Sequence, residues 1–251
     1  MRFNQLINLS RMLYIENTTK DLLERVPEPD LIMDNSKSVE AFDQQGSPGG
    51  ALIPIYKYCA RAISKRIPKN GTLLDLGSGS GQFLIYLAHK RPDISITGID
   101  LSDAMVERGN YNIEKNNLSH QITLKVADMT SFSQHVDKNL NLITSVFSLH
   151  HLPQLSDLNK CFLEVHLAKS HTQCSFWAFD HIRPKHPSTP DLFPIVFTPQ
   201  TPLEFREDSK NSLKASWSYE EVSTQLHIFK DCKVSHRQLP ILRLYQTFFV
   251  V

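Results

Sequence analysis

Long apolar runs are missing from this sequence. No stretch of about 18 apolar residues occurs, so no membrane-spanning helix is expected. The opening stretch, "MRFNQLINLSRMLYIENTTK", has no continuous apolar core and no small-residue cleavage site. That predicts no secretory leader and a cytoplasmic location. Cysteine is scarce: Cys59, Cys161, Cys174 and Cys232 lie far apart and form no C-x-x-C pair. A disulfide framework is excluded, and buried free thiols in a reducing compartment are expected. No Cys/His group has ligand spacing, so no metal is expected. Excess charge is also lacking. Lys and Arg number 27 against 26 Asp and Glu, a formal net charge of +1. Nothing in that balance calls for a nucleic-acid partner.

What is present is a foldable chain of 251 residues, 41% hydrophobic and 21% charged. From about residue 71 to 180 short apolar runs alternate with amphipathic segments. "GTLLDLG" reads as a buried strand, and "GQFLIYLAHKRP" as a helix stopped near Pro92. "DISITGID" is a second strand. "SDAMVERGNYNIEKNN" is a helix with Ser102 as its N-cap. "QITLKVADM", "LNLITSVFSL" and "TQCSFWAFD" read as strands three to five, with a helix in "PQLSDLNKCFLEVHLAKS". This order implies right-handed crossovers and a parallel sheet with helices on both faces. Ligands of such sheets sit beyond the carboxyl ends of the strands.

The loop after the first strand is "GSGSG", residues 77 to 81. Small residues let a ligand lie against the main chain, and the next helix points its free N–H groups at the same spot. A pyrophosphate or the amino-acid end of S-adenosylmethionine could use it. Gln82 stands where the dinucleotide fingerprint has its third glycine. Asp100 ends the second strand, where a carboxylate accepts both hydroxyls of a ribose. Asp128 ends the third, where it can accept from an adenine amino group, with Met129 donating its backbone N–H to the ring. A nicotinamide oxidoreductase explains the glycines and Asp100 but not Asp128.

The stretches "LLDLGSGSGQ", "ITGIDLSDAMVERGNYN", "VADM" and "LNLITSVFSLHHL" together resemble the class I S-adenosylmethionine-dependent methyltransferases. The match covers about residues 70 to 180. It implies a Rossmann-like α/β fold: a seven-stranded, mostly parallel sheet with helices on both faces and an antiparallel C-terminal strand. "DCKVSHRQL" and "LRLYQTFFVV" are the two closing strands it requires. The resemblance implies S-adenosyl-L-methionine as cofactor and S-adenosyl-L-homocysteine as product. It also implies cofactor contacts from Asp75 near the ammonium group, Gly77, Ser78 and Gly79 in the loop, and Leu101 beside Asp100. Met105 then packs on the adenine, and Phe147 lies near the methionine moiety. Asn141 departs from the family, which often has aspartate there. "RVPEPDLIMD", "FDHIRP" and "FREDSKNSLKASWSYEEVSTQL" resemble a bacterial subgroup of small-molecule-type methyltransferases.

His150 and His151 follow the fourth strand in "SLHHLP"; Asp180, His181 and Arg183 are expected just after the fifth. These are the rim residues of such a site. His151 and Asp180 are the candidates to touch the nucleophile, as base or as hydrogen-bond partner. Asp180 and Arg183 could instead form a structural ion pair. Tyr14, Tyr56 and Tyr58 read as packing residues. Residues 1–50, an amphipathic segment and then a polar loop-like piece, are expected to roof the site of a 51–251 domain. A proline-rich insert at about 182–206 holds six prolines between His181 and Phe205, which argues against a regular helix. Its Leu192, Phe193, Ile195, Val196 and Phe197 are expected to wall an apolar pocket. The expected activity is methyl transfer to a small molecule. Alternatives are a protein or nucleic-acid methyltransferase and a non-catalytic cofactor-binding module.

Overall fold

The computed structural model describes residues 3–30, 32–133, 136–240 and 243–251. Seven strands make one sheet: β1 Thr72–Leu76, β2 Ser95–Asp100, β3 Ile122–Val126, β4 Leu140–Val146, β5 Ser175–His181, β6 Val234–Gln238 and β7 Tyr245–Val250. Their order is β3-β2-β1-β4-β5-β7-β6. β1 to β5 are parallel, and β7 runs antiparallel between β5 and β6. The sequence expected this sheet. The closing strand was expected from residue 242, and Leu242 lies outside the described residues.

Burial follows position in the sheet. Central β1 is buried along Leu73, Leu74, Asp75 and Leu76, and β5 from Phe176 to His181. A strand covered on both faces needs a continuous apolar run. Edge strand β6 is half-exposed or exposed throughout. Along β5, Trp177 and Phe179 join one core with α3 (Ile53–Ser64) and α4 (Gln82–Lys90). Phe176 and Ala178 join the opposite core with α6 (Leu155–Thr172) and α9 (Tyr219–Gln225). Asn141, the departure noted above, accepts from the Thr72 N–H at 2.8 Å and ties β4 to β1.

Two segments depart from expectation. The polar piece before residue 50 contains a helix, α2 (Ser36–Gly46), capped by Asn35, whose side chain accepts from Lys37 N. Its own apolar content is small; it folds because Val39, Ala41 and Asp43 are buried against the domain. The proline-rich insert also contains a helix, α7 (Thr189–Phe197). Pro190 falls in the first turn, where an N–H has no intrahelical partner anyway. Pro194 lies inside and costs about 3 kcal/mol. Burial of Leu192, Phe193 and Val196, worth ~1.5–3 kcal/mol each, outweighs it. Leu192 and Phe193 pack with Met12 of α1 (Phe3–Thr18), Leu213 of α8 (Leu203–Ala215) and Leu244. The remaining helix, α5 (Asp103–Lys115), has the expected cap: Ser102 Oγ accepts from Met105 N at 3.1 Å. All four cysteines are free thiols.

Candidate active site

At the carboxyl ends of β1, β2, β3 and β4 lies a cavity of about 330 Å³. The chain leaves these parallel strands at one edge, so residues distant in sequence converge there. Asp75, Gly77, Ser78, Gly79, Asp100, Leu101, Met105, Asp128, Met129 and Phe147 all line it. His151 does too.

The glycine loop is shaped by close approach. Gly77 has φ +71°, and a Cβ there would lie 2.3 Å from the Ser148 Cβ. Only glycine takes that backbone without strain in so little space. The Asp100 carboxylate braces the loop, accepting from Gly79 N at 2.7 Å and Ser102 N at 3.0 Å. Each carboxylate oxygen keeps a second acceptor site. Burial raises the Asp100 pKa above its ordinary value.

Asp75 is 2% exposed, and burial pushes its carboxyl up to about 7. Thr144 Oγ1 donates to Asp75 Oδ1. An acid enclosed this way at the cavity wall fits a cationic ligand group. Asp128 is exposed and lies two residues beyond β3, which ends at Val126 rather than at the acid. Its Oδ1 accepts from Thr130 N and Thr130 Oγ1, which orients the carboxylate. The donor set therefore fits a nucleoside with a cationic amino-acid tail: an acid for the cation, an acid at a ribose position and an acid at a base position.

The rim differs from expectation. Asp180 and His181 are the last residues of β5 and do not follow it. Asp180 stands behind His150, outside the cavity lining, and its Oδ1 is 2.7 Å from His150 Nδ1. It also accepts from the N–H groups of His150 and His181. Arg183 pairs with Glu221 at 2.9 Å rather than with Asp180. Burial, with His150 adjacent, pushes the His151 ring down to about 3. It stays neutral near pH 7 and is a weak base there.

Leu192, Phe193, Ile195, Val196 and Phe197 do not wall this cavity. Leu192 and Phe193 are spent on the α1–α8 core, and Ile195 and Phe197 line a separate, more polar hollow with Asn4, Asn8 and Gln200. Ile32, Met33 and Phe42 from the N-terminal segment line the main cavity instead. Tyr56 and Phe83 join them, so Tyr56 packs and also faces the ligand space.

Asp43 had no sequence signal; it stood as one acid in a polar stretch. It is 2% exposed and accepts from Gln82 Nε2, Asn112 Nδ2 and the Arg108 guanidinium. That hub fastens α2 to α4 and α5 over the loop. Ser102 Oγ reaches Asp34 Oδ1 at 2.7 Å and fastens the chain just before it. Arg25 does the same at the other rim. Its guanidinium donates to the carbonyls of His150, Leu152, Pro153 and Ala215 and lies 3.5 Å over the Trp217 ring. This brings Glu28 to His150, with Glu28 Oε1 at 4.0 Å from His150 Nε2. Glu28, His150 and His151 thus form a group with metal-binding donors, where sequence spacing expected no metal.

Known proteins agree with the geometry. Residues 73–168 match the family model described as a methyltransferase domain. A carboxy-S-adenosyl-L-methionine synthase of Desulfotalea psychrophila is 33% identical over 104 residues, covering 39% of this chain and 41% of that protein. The 27-O-demethylrifamycin SV methyltransferase of Amycolatopsis mediterranei is 32% identical over 81 residues, covering 32% of this chain and 29% of that one. This chain spans less than half the length of either relative. The plantazolicin methyltransferase BamL, solved in complex with a triazolic desmethylPZN analog and SAH, superposes with a TM-score of 0.59. It is 15% identical, and the superposition covers 98% of this chain and 96% of that one. Sheet order, loop and family match agree: residues 73–168 match the methyltransferase domain, within a sheet that has the fold of the class I S-adenosylmethionine-dependent methyltransferases.

Proposed function

We propose that this protein transfers the methyl group of S-adenosyl-L-methionine to a nucleophilic atom of a small molecule. The observation that carries the reading is one cavity lined jointly by Asp75, Gly77, Asp100, Asp128 and Phe147, each from a different point of the strand ends. Asp75 takes the ammonium end, directly or through water. Asp100 accepts the ribose hydroxyls. Asp128 accepts from the adenine amino group, and Met129 offers its backbone N–H. Met105 packs on the ring. Gly77, Ser78, Gly79 and Leu101 allow the close approach.

When bound, the cofactor supplies a sulfonium methyl already activated for in-line displacement. The chain has to hold the acceptor about 3 Å from that methyl and keep water out. Ile32, Met33 and Phe42 line the cavity, which supports residues 1–50 as the roof of the 51–251 domain. His151 orients the acceptor, because a ring with so low a pKa is a weak base near neutrality. Asp180 acts through His150 and does not meet the acceptor.

A small acceptor is supported by the modest cavity volume of about 330 Å³, the near-zero net charge and the relative named for a demethylrifamycin. Among the described residues no helix is long and apolar enough to cross a membrane. The test has two stages. Calorimetry should show S-adenosylhomocysteine binding and little binding of nicotinamide dinucleotides; the reverse preference would sink the cofactor reading. Methyl-labelled cofactor is then incubated with extract split into small-molecule, protein and RNA fractions. Label in the first is expected. Label only in a macromolecule would overturn the substrate class, and label nowhere would favour a non-catalytic binding module.

A further inference from the structure

We propose that Glu28, His150 and His151 form a divalent-metal site in the cavity wall, with Zn²⁺ the ion that best matches the donors. The donor atoms all lie within 4.8 Å of one another. Two imidazoles and one carboxylate are the ligand set of an open zinc centre, with a fourth position left for water or substrate.

Three observations point to an ion. First, His150 is oriented as metal-bound histidines are. Its Nδ1 is 2.7 Å from Asp180 Oδ1, and Asp180 is itself fixed by two backbone N–H groups. With Nδ1–H donating to that carboxylate, the lone pair is on Nε2. Second, Nε2 is buried and has no hydrogen-bond partner among the described residues, on a side chain 3% exposed. A buried polar atom left bare costs about 1–3 kcal/mol. Third, the acid facing it is at the wrong distance for a proton and a suitable one for an ion. Glu28 Oε1 is 4.0 Å from Nε2, too long for a hydrogen bond. Donors around a tetrahedral zinc at about 2.1 Å stand about 3.4 Å apart, so a small inward shift completes the pair.

The supports are built for this. Ser212 Oγ donates to Glu28 Oε1 at 2.8 Å and holds the carboxylate. Arg25 pins the segment carrying Glu28 to the carbonyls of His150, Leu152 and Pro153. His151 is the ligand that also lines the cavity, so with the ion bound it would orient the acceptor through the metal rather than directly. The chemical consequence rests on the methyltransferase reading. The ion binds an acceptor hydroxyl and lowers its proton affinity. The hydroxyl proton passes to water, the acceptor O–CH₃ bond forms as the S–CH₃ bond breaks, and the sulfonium becomes a neutral thioether. No redox partner is needed. Asp180 is a positioning residue for this centre.

The test uses the full chain, stripped with a chelator and titrated with Zn²⁺ against a chromophoric competitor, with neither cofactor nor acceptor present. One ion per chain is expected. Glu28→Gln and His151→Gln should each weaken it at least ~100-fold, and Asp180→Asn by ~10–100-fold. Co²⁺ in the unmodified protein should give the intense visible band of a four-coordinate nitrogen-ligated ion, a reading that needs no variant. S-adenosylhomocysteine calorimetry on the same samples reports separately on the cofactor cavity. No bound ion at micromolar zinc, no cobalt band, or equal affinity in the Gln variants would overturn the site, whatever the calorimetry gives. Zinc bound without any S-adenosylhomocysteine binding would uphold the site and count against the methyltransferase reading.

Discussion

Thr144 donates its hydroxyl to the Asp75 carboxylate at 2.6 Å, where both side chains are buried between adjacent parallel strands. The hydroxyls of Thr144 and Ser78 do not compensate for the loss of water, and burial holds the carboxyl up to about 7. Above that pH the acid is ionised and pairs with a ligand ammonium. As pH falls through about 7 it takes a proton and the pairing is lost. S-adenosylhomocysteine affinity should therefore be flat just above pH 7, until the ligand's own ammonium loses its proton, and fall by up to ~10-fold per pH unit below 7. Calorimetry across that range checks it, and Asp75→Asn should flatten the curve. The empty protein should show the opposite trend. A carboxyl raised by folding stabilises below its unfolded value of about 3.9, and that contribution is lost as pH rises through about 7.

Asp100→Ala removes the proposed ribose acceptor and also the brace on Gly79 N and Ser102 N. Charge-assisted bonds to two hydroxyls are worth roughly 2–4 kcal/mol. Cofactor affinity should drop about 30- to 1000-fold. Unchanged binding in a folded variant would show that the ribose is held elsewhere.

Gly77→Ala introduces two separate costs. The backbone at φ +71° disfavours any side chain, and the new Cβ would meet Ser148 at 2.3 Å. A stability loss of ~2–4 kcal/mol is expected. Ser148→Gly relieves the clash but strips a buried hydroxyl from Leu76 O and Ser145 Oγ, so it has its own cost; added on top of Ser148→Gly, Gly77→Ala should cost only roughly 1 kcal/mol, from the backbone. Thermal melts of the single and double variants separate the two.

Arg25→Ala leaves four carbonyls without their donor and uncovers the Trp217 face. The loss should be ~2–4 kcal/mol by denaturant titration. Arg25→Lys should not restore it, because an ammonium cannot span the fork or stack flat on the ring. Full rescue by lysine would show that charge alone matters.

The cavity lining at the strand ends was legible because its signals are local. Asp75 and the glycines flank one strand end, and a bare backbone loop between a buried strand and a helix has few other uses. Asp100, Ser102 and Met105 form one strand-to-helix turn, so their spacing carries their geometry. Asp180 was legible as a residue near the rim, but its partner was not: β5 runs on through His181, and the acid faces His150 rather than Arg183.

By itself, then, the sequence determined the strand–helix alternation, the sheet class and the glycine loop that lines the cavity, since each depends on periodicity and short-range turns. Tertiary structure alone decided α2, α7 and the place of Ile32, Met33 and Phe42 in the cavity lining. α7 forms despite Pro194 because Leu192 and Phe193 find Met12 and Leu213, contacts between segments far apart in the chain. Asp43 becomes a buried hub only when α2 meets Gln82, Arg108 and Asn112. Glu28 joins His150 and His151 only because Arg25 is captured by carbonyls that the β4–α6 loop and the end of α8 leave free. Such meetings are decided by which distant surfaces bury each other and which unpaired backbone groups need a donor, and no spacing in the chain records either.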